Sequence, residues 1–117
     1  MLFFLIAGHT LGDFPLQNTE MATCKCRRSK LPLQSEVPWY YWMTAHALVH
    51  ALIAGLIVWA CTGRQETGIL IGLLEFVVHW IIDVLKCENV TNIHIDQALH
   101  IICKLTWWTL ITQGVLG

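Results

Sequence analysis

Residues 67–86 read Thr-Gly-Ile-Leu-Ile-Gly-Leu-Leu-Glu-Phe-Val-Val-His-Trp-Ile-Ile-Asp-Val-Leu-Lys. A helix needs about 20 mostly apolar residues to cross the hydrocarbon core of a bilayer, and this stretch supplies them. Glu75, His79 and Asp83 recur at every fourth position, so they share one helix face. Ionisable groups inside a span are costly and mark function by default. The stretch therefore reads as a membrane helix with one working stripe.

The same pattern continues on either side. Residues 39–61 form a second apolar stretch with no formally charged residue and with His46 and His50. Residues 92–116 form a third, holding Asp96, His100 and Lys104. Residues 1–17 begin with a short apolar run that carries His9 and Asp13. These segments predict an all-α, four-helix transmembrane bundle, up-down-up-down, with a polar His/Asp core. It forms a single domain over residues 1–117, with helices near 1–17, 39–61, 67–86 and 92–116 and a basic loop over 18–38.

Composition agrees with that reading. Hydrophobic residues make up 56 % and charged residues 13 %, about half the usual charged share. Six tryptophans suit contact with lipid headgroups. A formal charge of −1 argues against nucleic acid as a partner, since such proteins carry a basic face. The N-terminus lacks the basic region and small-residue cleavage site of a signal peptide, and Asp13 stands where that site would fall.

Lys25, Arg27, Arg28 and Lys30 concentrate in one loop, and lysine and arginine accumulate on the cytoplasmic side. This loop and residues 87–91 are expected inside, the turn 62–66 outside, and both termini outward. The expected location is a bacterial inner membrane crossed several times. Cys24, Cys26 and Cys87 then face the cytoplasm, where thiols stay reduced. The sequon Asn89-Val90-Thr91 is expected to carry no glycan there.

Each of the four helices carries one polar pair spaced i, i+4: His9/Asp13, His46/His50, His79/Asp83 and Asp96/His100. In an up-and-down bundle all four pairs lie toward one membrane face. They form two layers, Asp13, His46, Asp83 and Asp96 in one and His9, His50, His79 and His100 in the other, about one helical turn apart. One turn deeper, Glu75 faces Lys104 as a buried ion pair. A lone intramembrane histidine is most often a packing residue, but four pairs at matched depth call for a common ligand. Imidazole and carboxylate bind divalent metals, three or four per ion, so eight ligands suit two and at most three ions. Zn²⁺ fits the histidine-rich set best, with Mn²⁺ or Fe as alternatives. Asp13, Asp83 or Asp96 is the expected catalytic base. Lys86 is either a snorkelling anchor or a phosphate-binding cation. Gln97 is placed to orient ligands, and Gln17 either orients ligands and binds substrate or simply belongs to the loop. His94 falls off the site face.

Four of these segments carry a resemblance. His9-Thr10-Leu11-Gly12-Asp13-Phe14-Pro15-Leu16-Gln17, the His46/His50 pair, His79-Trp80-Ile81-Ile82-Asp83 with Lys86, and Asp96-Gln97-Ala98-Leu99-His100 resemble an uncharacterised family of small bacterial and phage integral membrane proteins, known only as a domain of unknown function. More loosely, the His9/Asp13 and His79/Asp83 pairs are similar to those of the zinc-dependent phospholipase C and P1 nuclease group, whose all-helical members cleave phosphodiesters with a zinc cluster. Together the residues and the resemblance point to metal-dependent hydrolysis of a phosphoester, with membrane lipid or a lipid-linked compound as substrate. The alternative is a metal-ion or proton conducting module built on the same polar core. Homo-oligomerisation is compatible with either.

Overall fold

The computed structural model describes residues 1–29 and 36–116. Lys30 of the basic loop lies outside the described residues. Five helices stand among those described: α1 (Leu2–Asp13), α2 (Thr19–Cys24), α3 (Trp39–Thr62), α4 (Gln65–Cys87) and α5 (Ile93–Thr112). No strand occurs among them.

Local chemistry sets the boundaries. The expectation that the first helix reaches residue 17 is corrected, because α1 stops at Asp13. Pro15 has no N–H to continue the hydrogen-bond ladder, and its ring clashes with the carbonyl four residues back. The 18–38 segment is not all loop either: Asn18 accepts a hydrogen bond from the Met21 N–H at 2.8 Å and caps α2. Gly63, at φ 71°, closes α3 in the left-handed conformation that glycine adopts without strain. Asn92 caps α5 by accepting from the N–H groups of His94 and Ile95. The last helix ends at Thr112, short of the expected 116.

The four longer helices close into a ring, with α1 against α3 and α5, α3 against α4, and α4 against α5. Contact between α3 and α4 is close: a Cβ on Gly68 would sit 2.7 Å from the Gly55 carbonyl oxygen. One half of the ring is filled by Leu5, Ala54, Val58, Ile71 and Trp107. The other half encloses histidines and aspartates. Outside, Phe3, Leu52, Leu73, Val77, Ile102 and Leu105 are exposed, so apolar side chains face outward on all four longer helices. Two helices, α3 and α4, are long and apolar enough to cross a membrane. That is fewer than the four spans expected. α1 has 12 residues, and α5 carries Asp96, Gln97, His100 and Lys104.

A second correction concerns thiols. Cys26 and Cys87, expected as separate reduced cysteines, are joined in a disulfide across 61 residues of sequence. α2 folds the segment back over the end of α4, a contact that linear spacing does not reveal.

Candidate metal centre

All eight histidine and aspartate side chains of the four pairs come together inside the ring, none more than 8 % exposed. His9, His50, His79 and His100 pack ring against ring. The His50–His79 centroids are 3.8 Å apart, His79–His100 4.2 Å and His9–His100 4.6 Å. Beside this layer, His46 Nε2 lies 3.4 Å from both Asp13 Oδ1 and Asp83 Oδ2. His50 Nε2 lies 3.1 Å from Asp13 Oδ1 and links the layers. His100 Nε2 lies 3.3 Å from Asp83 Oδ1 and 3.7 Å from Asp96 Oδ1.

Three sets of donor atoms have metal-ligand spacing among the described residues: Asp13, His46, His50 and His79; His9, His79 and His100; Asp13, Asp96 and His100. Within each set the atoms lie within 4.8 Å of one another. Asp13, His79 and His100 each serve two sets. Asp83 belongs to none, because it is engaged elsewhere.

Buried polar atoms are normally hydrogen-bonded. Here Nε2 of His46 and His50, both ring nitrogens of His79, and Oδ1 of Asp13 and Asp96 are buried without an aligned hydrogen bond among the described residues. They face one another at contact distance instead. Converging nitrogen and oxygen lone pairs suit a cation.

The surroundings hold these groups in place. Gln97 Nε2 donates to Asp13 Oδ2 at 2.7 Å, and Gln97 Oε1 stands 3.3 Å from His9 Nε2. Behind His79, Glu75 Oε1 lies 3.5 Å from Nδ1. Glu75 is fixed in turn by Lys104 Nζ at 2.5 Å and by the Trp107 Nε1–H, which donates at 2.8 Å. A carboxylate behind a histidine that turns its other nitrogen to a metal is a recurrent supporting arrangement. The expected Glu75–Lys104 contact is thus present, and Glu75 also backs His79. The i, i+4 spacing of Glu75 and His79 carried that signal. Gly12 matters sterically: a Cβ there would lie 2.4 Å from His50 Cε1, so glycine admits the ring against α1.

At the end of the ring that carries α2, Lys25 is 1 % exposed and donates to Asp83 Oδ2. Burial pushes the Lys25 ammonium down, and the Asp83 charge opposes that shift. Lys25 escaped the sequence reading, which counted it among the topological charges. Lys86 Nζ lies 3.6 Å from Asp96 Oδ2 with about a quarter of its side chain exposed. Outside, Arg27 and Arg28 bind Glu88, and the Arg27 hydrogen bond holds the Glu88 carboxyl below its ordinary value. Gln17 stands apart from the expected role, since its amide donates to the Asp13 main-chain carbonyl at 3.0 Å and closes the turn after α1. His94 is exposed.

Over residues 1–116 the chain matches the family described as "Protein of unknown function (DUF3307)", and it belongs to that family. No curated protein and no solved structure matches it.

Proposed function

We propose that this DUF3307 member is a membrane-embedded, metal-dependent phosphoester hydrolase, with Zn²⁺ as the best-fitting metal and a lipid or lipid-linked compound as substrate. The observation that carries the reading is the convergence of eight buried histidine and aspartate side chains. Seven of them stand at metal-ligand spacing, and most have a buried nitrogen or oxygen that lacks a hydrogen-bond partner among the described residues. A packing network would have satisfied those atoms internally.

The inside-out distribution of side chains supports a bilayer as surroundings. Polar groups fill half of the interior while leucine, isoleucine, valine and phenylalanine cover the exterior, and an apolar exterior that extensive marks contact with lipid or a partner. In this reading all four longer helices lie in the inner membrane of a bacterium, the α2 end faces the cytoplasm and both termini face outward.

His9, His46, His50, His79, His100 and Asp13 would hold the metal, with Asp96 and Asp83 toward the mouth. Bound divalent ions would acidify a water and neutralise phosphoryl oxygens. The chain supplies the rest. Lys86, with about a quarter of its side chain exposed beside Asp96, can meet a phosphate oxygen, as lysine commonly does. Asp96 has a buried Oδ1 without an aligned partner and is the best-placed acceptor for a proton of the attacking water. Water adds to phosphorus as Asp96 takes its proton, the P–O bond to the alcohol breaks, and the proton passes from Asp96 to the departing alkoxide.

A conduit would need polar residues through both halves of the ring. The Leu5, Ala54, Val58, Ile71 and Trp107 cluster supplies an apolar floor instead, which favours the hydrolase. The test is elemental analysis of detergent-purified protein together with hydrolysis of phosphorylated lipids and prenyl phosphates. Bound Zn²⁺ that is lost in His79→Ala/His100→Ala is expected, with hydrolysis abolished by chelation and restored by Zn²⁺ or Mn²⁺. Protein that binds no metal overturns the proposal. Metal-loaded protein that hydrolyses nothing but carries ions across liposomes replaces it with the conduit.

A further inference from the structure

Two lysines stand at the mouth of the centre, and the metal reading does not use both. Lys25 is buried, with Asp83 taking one of its three donors. Lys86 reaches Asp96. Their carboxylate partners Asp83 and Asp96 meet at one atom, His100 Nε2, at 3.3 and 3.7 Å, so both lysines end at the same site and their like charges repel. An anion placed between them would relieve that repulsion.

Charge counting sharpens what the anion must be. Asp13, Asp83 and Asp96 contribute three negative charges, and Lys25 and Lys86 contribute two positive ones, all in the buried cluster or at its mouth. Glu75 and Lys104 cancel each other. With neutral histidines the cluster therefore stands at a single negative charge and is nearly balanced as it is. Two divalent ions would carry it to three positive charges, and ionisation of the attacking water would remove one. Uncompensated charge in a water-poor interior is expensive, so the loaded site favours a ligand with two negative charges. A phosphate monoester carries about that charge above its second pKa of about 6. A phosphodiester carries one.

Building on the two-metal reading, we infer that Lys25 and Lys86 form an anion subsite that selects the dianionic terminal phosphate of a monoester over a phosphodiester. Lys25 is the specificity-determining residue, because it brings a positive charge where no water can screen it. Lys86 guides the phosphate in from the exposed edge. The preference departs from the phosphodiester chemistry of the soluble zinc enzymes that the sequence loosely resembles.

The experiment is titration calorimetry on Zn²⁺-loaded protein in detergent at about pH 8, where the monoester is a dianion. Methyl phosphate and dimethyl phosphate are the paired probes, similar in shape and different in charge. Wild type should bind methyl phosphate at least ~10-fold more tightly, the factor expected for one charge-assisted hydrogen bond. Lys25→Met should keep its Zn²⁺ and lose about that factor for methyl phosphate, and Lys25→Arg should recover most of it. Phosphatidic acid in mixed micelles is a third arm. Tighter binding than methyl phosphate assigns the lipid as the source of the monoester and equal binding assigns a free one, and both support the subsite. Equal affinity for the two methyl esters, or Lys25→Met without effect, overturns the inference and leaves the metal reading standing. If no Zn²⁺ binds at all, the metal reading has failed and the inference falls with it. The ester comparison uses wild-type protein, so poor folding of a lysine variant does not obscure the result.

Discussion

The two halves of the helix ring are built on opposite rules. In one, Leu5, Ala54, Val58, Ile71 and Trp107 fill the interior, and side-chain shape alone determines the fit. In the other, the same four helices bring in histidines, aspartates, Glu75 and Lys104 at comparable burial. Packing completes the first half, whereas the second retains buried donor atoms without aligned partners. The boundary between them is Glu75, whose carboxylate takes Lys104 and Trp107 on one side and backs His79 on the other. The contrast is what the proposed metal centre requires, because a bundle selected for stability alone would have extended the apolar half.

The sharpest way to break this comparison is Asp13→Asn. Asp13 serves two of the three ligand sets, and a neutral amide is a much poorer ligand. Loss of a mere supporting residue costs about 10–100-fold in metal affinity, so loss of this carboxylate should cost more. The helical circular dichroism spectrum should stay at wild-type amplitude, since Asp13 ends α1 without filling the apolar half. Unchanged Zn²⁺ content would mean that the metal is not held at Asp13, which would leave the two ligand sets built on it as a hydrogen-bonded network.

Much of this was legible in the sequence because the helix period turns spacing into direction. The four i, i+4 pairs and the Glu75–Lys104 register needed only that period and an up-and-down order. What escaped was set by features without a period. Pro15 cut α1 short, and Asn18 began a helix inside the supposed loop. Once α2 folded back, Lys25 entered the site and Cys26 met Cys87. A lysine in a basic run looks like every other lysine in it, and only tertiary placement distinguishes the one that is buried. The disulfide has a second consequence. Such bonds persist in oxidising compartments and are usually transient in the cytosol, so on a cytoplasmic face this one would be a labile link.

The next prediction tests the boundary. Glu75→Ala should destabilise the protein by about 3–5 kcal/mol, because it leaves the Lys104 ammonium buried and unpaired. Glu75→Ala combined with Lys104→Met removes both charges and should recover part of that loss. Ile71→Val, in the apolar half, should cost only about 0.5–1.5 kcal/mol. Denaturant midpoints in detergent would measure all three. A Glu75→Ala cost no larger than that of Ile71→Val would mean that the ion pair is solvated and that the boundary is not dry.

The smallest effect is expected outside the ring, where the same chemistry meets water. Glu88 accepts from Arg27 and Arg28 beside the Cys26–Cys87 link, and exposed pairs of this kind contribute little. The Arg27 hydrogen bond holds the Glu88 carboxyl below its ordinary value. A carboxyl depressed in the folded state stabilises above its unfolded pKa, and that stability is lost as pH falls through the folded value. Wild type should therefore exceed Glu88→Gln slightly in thermal midpoint at neutral pH. The gap should close once the solution is taken below the ordinary glutamate range, and salt near 1 M should also shrink it. Replacing Glu75 by glutamine gives the contrasting case, whose neutral-pH deficit should survive the same salt because its partners are buried. A salt-insensitive gap at Glu88 would show that the α2 segment shields this end of the ring as fully as the helices shield its interior.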